Sequence, residues 1–396
     1  MVSSTVSVMR WGLWSSLVAA AVLASHSVAG EDPVATATEE ILGILTNPDV
    51  YDPAIRPSVA DGSATEVQIQ TYFRNIDIDD VNMKANFDIT FRMIWNDERL
   101  TFNTGGVEYV TVLNPYLAWL PDAFFKNAIT TQRKSIHPEA YLRIFPDGRV
   151  IYSTRLSLKQ SCPMDLVRFP HDTQVCHINV ASYGYTSDSL VFTMAAESAI
   201  AISRELHADR FSFEKYDTGS CDTETATGVY SCVEVNMKIR RVFGSYLLEM
   251  YIPTIFLVIV AWFGFLIPPS QFLGRLLLTL IPLITLASFS NLYKESLASV
   301  PYIRAVDIFT GISLVIIFGT LVHVIVCQVR GNNTQADKQS ESPEEGEVKG
   351  TSEETSGLRR LLAKATQRAS FLSRLVLVGT YCAFLFVYFV AYCGTG

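Results

Sequence analysis

Cys162 and Cys176 enclose thirteen residues, PMDLVRFPHDTQV, and Cys221 and Cys232 enclose ten. Thiols so placed can form disulfides or hold a metal. Zinc ligands come two to four residues apart and in matched pairs, a pattern absent here, so neither metal nor cofactor is expected. Four cysteines permit three pairings; closing 162 on 176 and 221 on 232 is the simplest, and spacing alone does not select it. A second set of residues suits ion conduction. Leu277, Ile281, Ile284, Ser288, Asn291 and Glu295 recur at alternating steps of four and three, which puts them on one face of a helix. That face is apolar at one end and polar at the other, with Arg275 at its apolar mouth. It is either the flank of a packed bundle helix with snorkelling ends or a pore wall of apolar constrictions beneath polar rings. One copy of a helix cannot surround a pore, so the second reading requires a symmetric oligomer. The six histidines form no triad or ligand spacing and no Gly-rich phosphate loop is present, so the chain does not read as an enzyme.

The elements that must position these residues fall into two compositions. A net charge of -8 offers no basic face for a nucleic-acid partner. Residues 1–29 read as a signal peptide: Arg10, an apolar run from Trp11 to Ala24, then Ser27-Val28-Ala29. The domain after it would face an oxidising exterior, where cysteine pairs become disulfides. Residues 30–245 read as a β-sandwich. TATEEILGILTNP (36–48) predicts a short helix before it, YLRIFPDGRVIYSTRLSL (141–158) a hairpin turning at Pro146-Asp147-Gly148, and VEVNMKIRRV (233–242) a half-buried strand. Four apolar stretches then predict membrane spans, at 246–269, 272–292, 302–327 and 370–393. Three lie in a unit covering 246–327 and the fourth in 368–396. Residues 328–367, polar and rich in Ser, Glu, Lys and Gly, predict a cytoplasmic linker disordered for much of its length. The sequon Asn332-Asn333-Thr334 falls within it and should stay unmodified. The result is a multi-pass protein in membrane lipid with both termini outside.

The thirteen-residue ring with Phe169-Pro170-His171-Asp172 resembles the signature loop of the Cys-loop receptors, the pentameric ligand-gated ion channels. YDPAIRP (51–57), WNDERL (95–100), WLPDAFF (119–125), SYGYT (182–186) and MYIP (250–253) resemble further motifs of that family, in its order. The Cys221/Cys232 pair is similar to the additional loop disulfide of glycine receptors and related invertebrate channels, which puts the resemblance nearest the anion-channel branch. Nearly the whole mature chain takes part.

The resemblance implies a homopentamer around a central pore, in the plasma membrane. It implies a small ligand held between neighbouring outer domains, and it implies the two disulfides. The principal side of the ligand site would carry Phe124, Asn127, Ser182, Tyr183, Thr227 and Tyr230; the complementary side would carry Thr90, Arg92, Arg143 and Ser153. Without the resemblance each aromatic here reads as core. Ala181, Thr225 and Thr90 stand where glycine receptors have an acidic residue and two aromatics. With Arg92, Arg143 and Lys126 nearby, the site suits an acidic or zwitterionic ligand. In the pore, Leu273-Gly274-Arg275 keeps the arginine of anion channels, whereas Glu295 and Val300-Pro301 are more similar to cation channels. Chloride is the expected ion, and a poorly conducting or cation-selective partner subunit of a hetero-oligomer is the alternative. Pro282 should kink or loosen the pore helix. At the base of the outer domain, Phe169, Pro170, Asp172, Asp79 and Asp80 would meet Arg241 and the connection Leu297 to Tyr302.

Overall fold

The computed structural model describes residues 32–339 and 352–393, apart from positions 60, 104, 105, 135, 197, 204–209 and 296. The expected signal peptide lies outside these residues. Helix α1 (Pro33–Thr46) opens the described chain three residues before the acidic pair suggested. Asp32 explains the difference: its carboxylate accepts from Val34 N at 3.1 Å, and Pro33 needs no donor in the first turn. Ala37, Ile41 and Leu45, one turn apart, are the residues it buries.

Fourteen strands follow among the described residues. The larger sheet has the order β10 (Ile200–Ile202), β1, β2, β7, β6, β3 (Val110–Val112), with β5 (Ala128–Arg133) also on β7 and β9 (Leu190–Met194) also on β1. Its long members are β1 (Thr65–Asp79), β2 (Lys84–Asn96) and β7 (Arg149–Ser161), and β6 (Ala140–Ile144) pairs with β7 across the expected turn. Gly148 has φ +83° there, and a Cβ on it would stand 2.8 Å from the Asp97 carbonyl oxygen, so only glycine fits. The smaller sheet is β11-β14-β8-β4, that is Phe211–Ser220, Cys232–Arg241, Thr173–Ser182 and Ala123–Phe125. A separate hairpin joins β12 (Thr223–Thr225) to β13 (Gly228–Tyr230). Alternate residues of the long strands are buried, and they form one sandwich core between the sheets. Cys162, just past β7, is bonded to Cys176 within β8, so a disulfide ties the two sheets together.

Three sequence motifs converge on one buried carboxylate. Asp97, fully buried, accepts from the Tyr51 hydroxyl at 3.0 Å and from Arg99 Nε and Nη2, both at 2.8 Å. The Tyr51 hydroxyl in turn accepts from Trp119 N at 3.0 Å, and the Arg99 guanidinium lies 4.3 Å from the Tyr51 ring. Burial first, and the Asp97 charge second, push the Tyr51 hydroxyl well above its ordinary pKa, so it stays a donor.

Four helices among the described residues are long and apolar enough to cross a membrane. They are α2 (Phe243–Phe263), α3 (Phe272–Glu295), α4 (Ala305–Gln339) and α5 (Ser352–Cys393). In α2, Pro253 has no N–H to return, and the helix widens to a π turn over Leu247–Tyr251 just before it. Pro282, expected to kink or loosen the helix, lies buried within α3, which runs from Phe272 to Glu295. Within the expected linker, residues 328–339 and 352–367 are helical. No proline lies between Tyr302 and Ser342 or after Ser352, so helices begun in the apolar spans propagate into polar sequence.

Replacing Asp97 by Ala strands the Tyr51 and Arg99 donors and should destabilise the outer domain by about 3–5 kcal/mol. Tyr51→Phe should cost only about 1 kcal/mol. Surface labelling of expressed protein checks the order; equal yields for both variants would show that Asp97 does not organise this end of the sandwich.

Candidate ligand site and coupling joint

The tip of the β12–β13 hairpin closes over one end of the smaller sheet. Phe124, Ser182, Tyr183, Thr227 and Tyr230 line a cavity of about 470 Å³ there, with Lys126, Ala181, Thr223 and Thr225 completing its wall. Phe124 and Tyr183 meet edge to face at 5.8 Å, and Tyr183, 80% exposed, has one ring face open. The Thr227 and Tyr230 hydroxyls are 2.9 Å apart. Lys126 Nζ donates to Thr223 Oγ1 at 2.7 Å, which holds a cation at the rim. The hairpin is itself tied down by the Cys221–Cys232 disulfide and by Gly228, whose missing side chain lets the tip approach Thr186. Asn127 is not in the cavity; its amide donates to the His177 carbonyl at 3.2 Å, one side of the sheet away.

Asp122 positions the SYGYT loop, a role the sequence reading missed. Its carboxylate accepts from Ser182 Oγ at 2.9 Å, from Tyr183 N at 3.1 Å and from Gly184 N. WLPDAFF contained the residue, but nothing in the spacing linked it to a loop sixty positions later.

Thr90, Arg92, Arg143 and Ser153 occupy the other sheet and do not meet that cavity within one chain. Register puts them on a common face: Arg92 pairs with Ser153, Ser153 with Tyr141, and Thr90 with Arg155. Arg74 joins them, donating from Nε to Thr90 Oγ1 at 3.0 Å. The face therefore carries four arginines, two of which the sequence reading did not select. Arg92 Nη1 donates to Gln70 at 3.0 Å, and Arg143 lies 4.7 Å from the Tyr109 ring. The Nε groups of Arg143 and Arg155 are buried with no hydrogen-bond partner. Period-two counting from Arg92 along β2, β7 and β1 was the available signal, and the bulge after Phe73 obscured it for Arg74.

The second constellation lies where the sandwich meets the helices. Arg241 is fully buried at its side chain, at the end of β14. Its Nε donates to Asp172 Oδ1 at 2.8 Å, its Nη1 donates to Asp80 and to the Tyr246 hydroxyl, and its guanidinium lies 4.5 Å from the Phe169 and Phe211 rings. Burial opposes the cation, but the Asp172 carboxylate overrides it and holds the guanidinium above its ordinary pKa. Asp79 is not part of this group; it accepts from the backbone and side chain of Asn82, which fixes the turn. Phe169 is completely buried and meets Tyr246 at 5.2 Å. The loop also caps a helix. The first N–H groups of α4, at Ala305 and Val306, donate to the carbonyls of Val167 and Phe169 at 2.9 and 3.2 Å. The Tyr302 hydroxyl accepts from Leu166 N at 3.0 Å. His171 is packed among Phe243, Tyr251, Tyr388 and Tyr392, its Nε2 3.2 Å from the Tyr251 hydroxyl.

On α3, Leu277, Ile281, Ile284, Ser288, Asn291 and Glu295 are exposed along one side. Arg275 is not with them. It is 1% exposed on the opposite side with Thr279, Pro282 and Leu286, and donates from Nε to the Gly264 carbonyl at 3.2 Å. Two residues of helix before Leu277 amount to about 200° of rotation, which the reading of Arg275 as part of the pore wall overlooked.

Arg241→Ala leaves Asp80 and Asp172 buried without a counter-charge, at a cost of about 3–5 kcal/mol. Agonist-evoked current should vanish, with surface labelling separating lost assembly from lost gating; currents of ordinary size would refute the role. Burial, partly offset by Asp172, holds the His171 pKa below its ordinary value. The unfolded chain thus takes up this proton first, so the stabilisation is complete above about pH 6.5 and is lost as pH falls through that value. The melting temperature should drop between about pH 7 and about pH 5.5 by an amount that His171→Phe removes; an identical drop in that variant would contradict the packing argument.

Comparison with known proteins agrees with this architecture. The neurotransmitter-gated ion-channel ligand binding domain matches residues 38–243, and the neurotransmitter-gated ion-channel transmembrane region matches residues 250–369. A glutamate-gated chloride channel of Drosophila melanogaster is 36% identical over 312 residues, 77% of this chain and 68% of that protein. A glutamate-gated chloride channel subunit beta of Haemonchus contortus is 29% identical, over 82% of this chain and 79% of its own length. The glycine receptor subunit beta of Rattus norvegicus is 34% identical, over 72% and 58% respectively. With a sandwich, its disulfide-closed loop and four apolar helices in this order, the chain belongs to the neurotransmitter-gated ion channels, the Cys-loop receptors, and is a multi-pass ligand-gated channel subunit rather than an enzyme.

Proposed function

We propose that this chain forms a plasma-membrane pentamer, alone or with related subunits, that opens a chloride pathway when an acidic amino acid binds between neighbouring outer domains. The observation that carries the ligand class is the arginine-bearing face of the larger sheet. Arg74, Arg92, Arg143 and Arg155 share it, and two buried Nε groups there have no partner. A carboxylate presented to such a face gains charge-assisted, two-pronged bonds. The aromatic and hydroxyl cavity lies on a different sheet, so one subunit's cavity would face the next subunit's arginines. The cavity's open Tyr183 ring suits the ammonium of the same ligand. Relatives that are glutamate-gated chloride channels support the same class.

The ion's sign follows from charge near the inner mouth. The α3 helix begins at Phe272, and five such amino ends would ring the pore with positive partial charge. Arg275 stands behind the stripe rather than in it, yet a buried charge acts over longer range than a solvated one. Both favour anions. Leu277, Ile281 and Ile284 would then make successive apolar rings that keep the resting pore dry. Both termini would lie outside, and the coupling joint would pass movement of the outer domain to α3 through α4 and the connection before it.

Expressed alone in oocytes, the channel should respond to dicarboxylic amino acids before glycine, and its reversal potential should follow chloride replacement. Arg92→Gln should raise the half-maximal concentration by about 10- to 100-fold. An unchanged concentration would move the ligand elsewhere; a reversal potential that tracks sodium would overturn the selectivity; silence with every ligand despite surface expression would favour an obligate partner subunit.

A further inference from the structure

A second cavity lies inside the sandwich, between the core face of β2 and β7 and the short strand β4. It measures about 370 Å³, and Thr131 and Arg133 of β5, both exposed, form its mouth. Phe91, Met93, Leu120, Phe125 and Leu156 make its walls, with Phe91 edge to face on Phe125 at 5.2 Å. Tyr152 and Thr154 bring the remaining hydroxyls. Thr154 Oγ1 is already used, donating to the Glu139 carbonyl at 3.0 Å. Arg133 Nη1 donates to the Tyr116 hydroxyl at 2.7 Å, which leaves the other donors of its fork without a partner among the described residues. Arg133 and Tyr152 are neighbours: burial pushes the Tyr152 hydroxyl above its ordinary pKa, and the Arg133 charge opposes that push.

The plain reading is a packing fault that water fills. Protein interiors hold few voids larger than one water, and walls of rings and aliphatic carbons give water few of the partners it needs. A molecule with an apolar body and one anionic end suits both features. The body faces hydrocarbon, and the guanidinium at the mouth takes a carboxylate in two-pronged fashion. No carboxylate lines the cavity to compete, and Glu139 is the weakest of the charges that reach Arg133. The cavity's position gives such a molecule a consequence. Phe124 lines this cavity and the ligand cavity as well. In β4, Phe124 pairs with Ala181 and Ala123 with Ser182, and both partners are walls of the ligand cavity. Three residues of strand are thus the partition between the two spaces. We propose that the inner cavity is a second ligand site, taking a small carboxylic acid with an apolar body, and that its occupancy shifts the first site through β4. The carboxylate lies on Arg133 beside the Tyr152 hydroxyl, and the body lies among Phe91, Met93, Phe125 and Leu156. This site does not depend on which ligand opens the channel.

The test titrates the full-length channel, purified in nanodiscs and carbon-labelled at its methionine methyl groups, with phenylpropionate. The Met93 methyl signal, identified by its loss in Met93→Leu, should shift and saturate. Phenylpropanol, which keeps the body and lacks the charge, should bind about tenfold more weakly, and Arg133→Gln should weaken the acid by a similar factor. Arg133→Lys should keep most of the affinity, which separates lost charge from lost fold. Tyr183→Ala, on the ligand cavity alone, should leave acid binding unchanged. These titrations need neither current nor agonist, so a failure of the proposed transmitter class would leave them readable. An unmoved Met93 signal, or equal binding of acid and alcohol, would overturn the site; loss of acid binding in Tyr183→Ala would assign the acid to the ligand cavity instead. Any amino acid found to open the channel should then show a half-maximal concentration shifted about fivefold by phenylpropionate in the wild type and not in Arg133→Gln. Binding without that shift would overturn the coupling through β4.

Discussion

A single guanidinium joins the two halves of this molecule. Arg241 ends the last strand of the sandwich, and its side chain is fully enclosed by the Asp80 turn, the Asp172 end of the disulfide-closed loop and the Tyr246 hydroxyl of the first membrane helix. A buried cation with two carboxylates is stable only as a set, because removing one partner leaves an unsolvated charge. The geometry of β14, the 162–176 loop and α2 is therefore determined together. Phe169 shares the same space, against the Arg241 guanidinium on one side and Tyr246 on another.

The loop that supplies Asp172 does more than close a hairpin. Its carbonyls take the first donors of α4, so the third span starts on the outer domain rather than in solvent. His171 sits among rings of α2 and α5, and the Tyr251 and Tyr388 hydroxyls meet at 2.8 Å beneath it. Three membrane helices are thus registered against thirteen residues. In the proposed receptor this makes the loop a stiff lever, since movement of either sheet reaches it through a disulfide that spans both.

The exposed and buried sides of α3 carry different sets of residues. The apolar and polar stripe faces outward, where other subunits would complete the pore, while Arg275 turns inward with Pro282 and Leu286. In the proposed receptor the same helix would offer an apolar stripe to the pore while its buried arginine stands behind that stripe.

Much of this was legible in the chain. Apolar runs of about twenty residues admit few structures other than membrane helices, because no backbone group can stay unpaired in hydrocarbon. Alternation with turn residues between them likewise specified a sandwich, and the spacing of Leu277 to Glu295 specified one helical face. Local physics carries such features, so sequence suffices for them. Tertiary structure decided which way each ambiguous residue turned. Asp80 rather than Asp79 meets Arg241, Asn127 leaves the cavity, Arg74 and Arg155 join Arg92, and Arg275 stands behind the pore stripe. Each of those outcomes depends on a bulge, a turn or a helix rotation of one or two residues, and that is settled by which burial satisfies the most polar groups at once across elements far apart in the chain.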